Sequence, residues 1–237
     1  LEQAAELKDG PVLAELLRAQ GGGHAVFWDV LDKPRQSLLK SIVASPPIRG
    51  AYLAGGTALA LQYGHRLSED FDWFLPESFD PGKLPALLEC FGTVSVAETH
   101  AGTFHGWIDG IRVTWLHYPN PLLDPLQEVR DLPGLLLSSP RDTGLMKWAA
   151  LSDRGARKDF LDLYELGLQG ITLEELFLLL PRKFPGRRLN LYHMIKGLSY
   201  FDDADNDPWP VMLRDVSWSA LQRYFLSSQT RLLRSLP

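Results

Sequence analysis

The sequence GGTALALQYGHRLSEDFDWF, residues 55–74, joins a glycine pair, an apolar stretch and two spaced acids. It follows the short apolar run AYLA at residues 51–54, so we expect a strand that turns into a helix at the glycines. Gly55 and Gly56 at such a turn let backbone N–H groups approach an anion at the helix N-terminus, where the dipole favours negative charge. A Gly-Gly pair by itself more often marks only a tight turn. Thr57 is the expected N-cap residue of the helix.

The alternation EDFDWF at the end of this stretch predicts a β-strand. On a strand Asp70 and Asp72 point to one face, while Phe71 and Trp73 point to the other face and into a core. Two carboxylates on one face repel unless a cation lies between them, and Mg²⁺, or Mn²⁺ in its place, prefers such oxygen ligands. A bare D-x-D pair is also typical of a solvated strand face.

The combination of features favours a site for a triphosphate and a metal ion. A phosphate-compatible glycine turn, the polar residues Arg66 and Ser68 and two same-face acids each supply something that the others lack. The stretch resembles the signature of the nucleotidyltransferase superfamily with a polymerase-β-like fold, and in particular the AbiEii/AbiGii-type toxin family. The family pattern G-G-T-x-L-A matches residues 55–60, and H-R-x-S-x-D-x-D matches residues 65–72.

A second stretch, DTGLMKWAALSDRGARKDFLDLYEL at residues 142–166, is similar to the downstream motifs of the same family. Lys147 offers a point charge to a phosphate, whereas Asp159 and Asp162 share one helix face at a spacing of i, i+3. One of these acids is expected to act as a base or metal ligand, or to orient Lys147. The other interpretation is that Asp159 is only an acid favoured by the helix dipole, with solvated basic neighbours.

The resemblance implies a Mg²⁺-dependent enzyme that transfers a nucleoside monophosphate from an NTP to an acceptor. It implies catalytic roles for Asp70, Asp72, Lys147, Asp159 and Asp162, with the first two holding the metal. It implies nucleotide binding by Gly55, Gly56, Thr57, Arg66, Ser68 and Lys147. It further implies tRNA or another RNA as acceptor and a separate antitoxin protein as partner. The alternatives are an inactive nucleotide-binding module on the same fold and an enzyme that modifies a small molecule of antibiotic type.

One departure from the superfamily concerns a third carboxylate, which many relatives carry on a later strand. The matching run, GIRVTWLHY at residues 110–118, has no acid on either face. Asp109 precedes it, but an Asp-Gly pair is first of all a hairpin turn. Three options follow: two acids suffice together with phosphates and water, Asp159 or Asp162 replaces the third acid, or activity is lost.

Composition limits the function classes. The chain has 237 residues, 45% of them hydrophobic and 22% charged, which excludes a disordered or fibrous protein. A formal net charge of -5 argues against nucleic-acid binding by bulk charge, although a basic run at residues 181–188 and the cluster Arg154, Arg157 and Lys158 are candidate RNA contacts. The single Cys90, expected in a helix core, and the lack of a signal-peptide pattern or long apolar run indicate a cytoplasmic protein with no membrane contact.

The order of patterns predicts an α+β fold. We expect an N-terminal helical lead at residues 1–45, a nucleotidyltransferase α/β domain with a small mixed sheet at 46–120, and a C-terminal helical bundle at 121–237. The segment SYFDDADNDPWPVML at 199–213 is assigned no chemistry, and its acidic part before Pro208 is expected to be a solvated loop. The seven tryptophans are expected mostly in the core.

Overall fold

A computed structural model describes residues 23–186 and 188–235 of the chain. Its centre is a seven-stranded sheet with the order β3-β4-β5-β2-β1-β7-β6. The strands are β1 Tyr52–Ala54, β2 Phe71–Leu75, β3 Val94–His100, β4 Thr103–Ile108, β5 Ile111–His117, β6 Gln127–Glu128 and β7 Leu136–Leu137.

The sheet is mixed, as predicted. Strand β2 lies at its middle, antiparallel to β1 and parallel to β5, and Asp72 is therefore flanked by Ala54 on one side and Thr114 on the other. Strands β3 to β5 form a meander. The predicted hairpin turn between β4 and β5 is confirmed, because Asp109 and Gly110 have φ angles of 48° and 80°, the positive values that a type I′ turn requires.

Helices surround the sheet and form a second layer. They are α1 Lys33–Ala44, α2 Gly55–Tyr63, α3 Leu84–Leu88, α4 Pro140–Arg154, α5 Arg157–Leu168, α6 Leu173–Lys183, α7 Leu191–Gly197, α8 Asp202–Asn206 and α9 Trp218–Ser235. Side chains cap several N-termini: Asp32 accepts from the Arg35 N–H at 2.9 Å, and Ser139 accepts from the Asp142 N–H at 2.9 Å. The predicted α+β class is thereby confirmed.

Helix α2 joins the two halves of the molecule. All its residues from 57 to 63 are buried, which explains why its sequence is apolar on every face. Ala58 and Leu61 pack into the core shared by α1 and the sheet, whereas Leu59 and Tyr63 pack into the core of the C-terminal helices. The element that carries the glycine turn is thus held between two cores.

Several expectations need correction. Ala54, not Thr57, is the N-cap residue of α2. The helix ends at Gly64, whose φ of 64° lies in the left-handed region. Strands β6 and β7 extend the sheet into the range that the sequence assigned to the helical domain. Cys90 is exposed rather than in the core.

The helical pattern expected before residue 23 lies outside the described residues. Within the described ranges, no helix is both long and apolar enough to cross a bilayer.

Candidate active site

A cavity of about 570 Å³ opens where β2 and the N-terminal end of α2 face helices α4 and α5. It is lined by seven of the residues that the sequence predicted: Gly56, Thr57, Arg66, Ser68, Asp70, Asp72 and Lys147. Gly55, Asp159 and Asp162 stand behind this lining. The rest of the wall is formed by residues that were not predicted as site residues: Leu67, Glu69, Arg112 and the segment 207–211. Arg154 and Lys158, which were predicted as candidate RNA contacts, also line the cavity.

Asp72 lies on β2 and Asp70 directly precedes the strand, and both line the cavity. Their neighbours Phe71 and Trp73 are buried on the other side, as the alternation predicted. Among the described residues neither carboxylate accepts a hydrogen bond; the nearest cation is Lys158, with Nζ 3.7 Å from Asp70 Oδ2. Mg²⁺ prefers carboxylate oxygens as its protein ligands. Asp70 and Asp72 are half-exposed and accept no hydrogen bond from the described residues, so they fit this metal.

Two buried hydroxyls brace the segment that leads into β2. Thr57 Oγ1 and Ser68 Oγ lie 2.7 Å apart, and the Thr57 hydroxyl donates to the backbone carbonyl of Asp70. Both residues are largely buried in the wall of the cavity. This links the first turn of α2 to the segment that enters β2 and sets the backbone position of Asp70.

The glycine pair makes room for two charged side chains. A Cβ atom on Gly55 would lie 3.0 Å from Asp72 Oδ2, and one on Gly56 would lie 2.1 Å from the Arg66 guanidinium. The φ of Gly55 is 69°, which side chains rarely adopt. Helix α2 has no side-chain N-cap, so the N–H groups of its first turn are suited to an anion at the Gly56 wall.

A buried ionic network lies behind the cavity wall, centred on Asp162. Its Oδ1 accepts from His65 Nε2 at 2.8 Å and from Arg66 Nε at 2.8 Å. Its Oδ2 accepts from Arg66 at 3.0 Å and pairs with Lys147 Nζ at 2.8 Å. Burial opposes ionisation, but the cations Arg66 and Lys147 outweigh it and hold the pKa of Asp162 well below its usual range.

Lys147 lies between two carboxylates. Its Nζ is 2.8 Å from Asp159 Oδ1 as well as from Asp162, and Arg154 Nε donates to Asp159 Oδ2 at 3.0 Å. Burial disfavours the charged amine, yet the two carboxylates raise the pKa of Lys147. Within this network Arg66, Lys147 and Arg154 face Asp159 and Asp162, and on the cavity side Asp70 and Asp72 add further attraction for Arg66 and Arg154.

This geometry separates the roles considered for Asp159 and Asp162. Every oxygen of both carboxylates already accepts from a buried or half-buried cation, so neither is set to take a proton or join a metal. Of the predicted alternatives, the structure favours the one in which they orient Lys147. The hydrogen bond from His65 to Asp162 was not predicted. The position of His65 next to Arg66 in the H-R-x-S-x-D-x-D motif was the signal that could have indicated it.

Strand β5 has no acid beside Asp72. Thr114 takes the position opposite Asp72, and its Oγ1 lies 3.1 Å from His105 Nδ1. Asp109 turns away and accepts from the Thr93 N–H at 2.8 Å. Within residues 23–186 and 188–235, no cluster of three or more His, Cys, Asp or Glu residues is arranged to hold a metal. Only two carboxylates therefore face the cavity from the sheet.

The segment at residues 207–211, for which the sequence predicted no chemistry, forms one wall of the cavity. The Leu67 N–H donates to the Val211 carbonyl at 2.8 Å, and the Leu213 N–H donates to the His65 carbonyl at 2.9 Å. Arg157, expected as a surface cation, is buried, and its Nε donates to the Ala204 carbonyl at 2.7 Å. The acidic run that precedes this wall segment includes helix α8, so it is not entirely a loop.

Comparison with known proteins identifies the family. Residues 37–106 match the family model described as the nucleotidyl transferase AbiEii toxin of type IV toxin–antitoxin systems. The matched range includes the whole motif from Gly55 to Asp72 and ends before Lys147. Over 198 residues the chain is 32% identical to an uncharacterized protein of Aquifex aeolicus (strain VF5), aq_aa25, and the alignment covers 82% of this chain and 94% of that protein.

Solved structures share the fold. MenT4, the nucleotidyltransferase toxin Rv2826c from Mycobacterium tuberculosis H37Rv, aligns with a TM-score of 0.58 and 17% identity, over 86% of this chain and 82% of its own. A candidate nucleotidyltransferase from H. pylori aligns with a TM-score of 0.53 and 16% identity, over 86% and 93%. Because the family match falls on the motif that builds the cavity, within a fold that known nucleotidyltransferases share, the chain belongs to the AbiEii nucleotidyl transferase toxin family.

Proposed function

We propose that this protein transfers a nucleoside monophosphate from an NTP to an acceptor hydroxyl. The acceptor oxygen attacks the α-phosphorus, the bond to the β-phosphate oxygen breaks, pyrophosphate leaves with the electron pair, and the acceptor proton passes to solvent. The observation that carries the proposal is the pair Asp70 and Asp72, which faces one cavity together with the uncapped N-terminus of α2.

Asp70 and Asp72 would hold Mg²⁺, or Mn²⁺ in its place. Bound there, the metal would supply charge neutralisation on the triphosphate and lower the pKa of the attacking hydroxyl. The protein's part is to hold the carboxylates in place. Thr57 contributes through its hydrogen bond to the Asp70 carbonyl, and Ser68 supports it by bonding to the Thr57 hydroxyl.

The phosphates would be bound at the Gly56 wall. N–H groups of the first turn of α2 point their dipoles at an anion there. Lys147 adds a fixed positive charge, because Asp159 and Asp162 hold its amine in a single position. Fixed charges of this kind need no rearrangement during the reaction, so positioning and charge stabilisation would supply most of the catalysis.

The acceptor would be RNA, with tRNA as the first candidate. Three cations surround the mouth of the cavity: Arg112 is exposed, and the side chains of Arg154 and Lys158 are 57% and 45% exposed. Such cations suit backbone phosphates, although the net charge of the chain is negative. The family match supports a toxin of a two-component system, which acts in the cytoplasm and is opposed by an antitoxin protein.

A second candidate is a nucleotide-binding module without transfer activity. The observation in its favour is Thr114, an uncharged residue at the sheet position opposite Asp72. This module would bind NTP and release no pyrophosphate.

The proposed function is tested by label transfer to RNA. Wild-type protein is incubated with each α-labelled NTP, Mg²⁺ and total tRNA, beside Asp72→Asn and the surface control Glu77→Gln. We expect label on RNA with wild type and Glu77→Gln, and a loss of at least about 1000-fold with Asp72→Asn, because half of the metal-binding carboxylate pair is gone. NTP binding by calorimetry without label on any RNA would instead favour the binding module or a small-molecule acceptor.

A further inference from the structure

One tryptophan stands apart from the expectation that this residue type fills the core. Trp209 is 46% exposed and lies on the cavity wall, in the sequence Asp207-Pro208-Trp209-Pro210. It is the one aromatic side chain among the described residues that line this cavity. Its ring therefore offers an apolar plane within a site otherwise made of charges and backbone.

Two neighbouring side chains hold the ring of Trp209 in place. The Arg157 guanidinium lies over it at 4.8 Å from the ring centre, and Trp218 meets it edge-on at 5.8 Å. Arg157 is itself anchored, since it donates to the Ala204 carbonyl at 2.7 Å and to the Asp205 carbonyl at 2.9 Å. A cation over one face of an indole is an attractive and orienting contact.

The backbone of the wall is fixed on both sides of Trp209. Before it, Asp207 Oδ2 accepts from the Arg157 N–H at 2.9 Å. After it, the Val211 carbonyl accepts from the Leu67 N–H at 2.8 Å, and Met212 forms a β-bridge with Arg66. Prolines at 208 and 210 restrict the backbone further. An exposed aromatic ring on so constrained a segment loses little entropy when a flat ligand stacks on it.

We propose that Trp209 stacks against the nucleobase of the bound NTP. This rests on the proposed function. If the triphosphate lies between Gly56 and the Asp70–Asp72 pair, the base must lie in the rest of the same cavity, where Trp209 supplies the aromatic surface. Stacking on an aromatic side chain tolerates every base, because each base has a π face. Trp209 therefore contributes affinity for nucleotides as a class.

The test compares nucleotides with a ligand that has phosphates and no base. Binding of ATP, GTP, CTP, UTP and inorganic tripolyphosphate, each with Mg²⁺, is measured by calorimetry. The variants are Trp209→Phe, which keeps an aromatic ring, and Trp209→Leu, which still places an apolar side chain against Arg157 but has no aromatic ring. Trp107→Phe is the control, since Trp107 is also exposed, at 38%, but lies outside the cavity. Thermal melting checks that all variants fold.

We expect Trp209→Leu to bind the preferred NTP about tenfold more weakly than wild type. Trp209→Phe should bind within about threefold of wild type, and tripolyphosphate should bind all variants equally. Equal NTP affinity of the Leu and Phe variants, or an equal loss for tripolyphosphate, would overturn the stacking role and leave the proposed function standing. Unchanged NTP affinity of Trp209→Leu, together with weaker binding of total tRNA in the same calorimetry, would overturn the stacking role and assign the ring to an acceptor base instead. Wild type that binds none of the NTPs would overturn both proposals.

Discussion

Asp162 is the residue on which the buried charges of the site depend. Its two oxygens accept from His65, Arg66 and Lys147, and its side chain has no exposed surface. A buried carboxylate with this many cationic partners stabilises the fold only while the whole set is complete. We therefore expect Asp162 to hold Arg66 and Lys147 in place rather than to react.

Asp162→Asn should cost about 3–5 kcal/mol in the free energy of unfolding, because it leaves Arg66 and Lys147 with one carboxylate fewer in a buried place. Urea unfolding measures this value. Glu77→Gln, an exchange at an exposed position, should stay within about 0.5 kcal/mol of wild type. A change as small for Asp162→Asn would show that the network contributes nothing to the fold.

The two glycines at the start of helix α2 allow charged side chains to pack closely against its first turn. Gly56 lies so close to Arg66 that an added Cβ would overlap the guanidinium, and this group is bound to Asp162 and not free to move. Gly197, at the end of α7, has ordinary backbone angles, and the nearest atom to an added Cβ is 3.5 Å away. The two positions form a matched pair.

Gly56→Ala should lower the free energy of unfolding by about 1–3 kcal/mol through overpacking. It should also reduce transfer activity, because it displaces Arg66 from its place in the cavity wall. Gly197→Ala should be neutral or slightly stabilising. Thermal melting and the label-transfer assay measure both effects, and wild-type stability and activity in Gly56→Ala would contradict the close packing of this turn.

The elements that carry a local pattern were predictable from the sequence. The alternation around Asp70 and Asp72 indicated strand β2 and its two faces, and the Asp109-Gly110 pair indicated the hairpin. The cavity wall at residues 207–213 was not predictable, because its bonds to residues 65–67 join segments far apart in the chain. The burial of Arg157 has the same origin, since its partners lie on a distant segment.

At the scale of the whole molecule, acid should destabilise the fold through the same network. Ion pairing lowers the pKa of Asp159 and Asp162 despite their burial. An Asp carboxyl whose pKa is lower in the native state than in the unfolded chain stabilises the fold at pH values above the unfolded-chain pKa of about 3.9. This stabilisation is lost as the pH falls from that value towards the native pKa. We expect the free energy of unfolding of wild type to fall steeply below about pH 4.

Asp162→Asn should show a shallower dependence on pH in the same range, because one of the two depressed carboxyls is gone. Unfolding of both proteins followed between pH 3 and 7 measures the slopes. Parallel slopes for the variant and wild type would show that Asp162 does not titrate with the fold. Helix α2 packs into both cores, so each protein should unfold in a single transition.

The central claim is that the Asp70–Asp72 cavity transfers a nucleotidyl group. The most direct measurement follows one NTP labelled at either the α or the γ phosphate, with Mg²⁺ and RNA, and compares wild type with Asp72→Asn. We expect α label to move to RNA while γ label leaves in pyrophosphate in equal amount, and Asp72→Asn to do neither. Transfer of γ label to the acceptor, or equal turnover by Asp72→Asn, would rule out nucleotidyl transfer at this cavity.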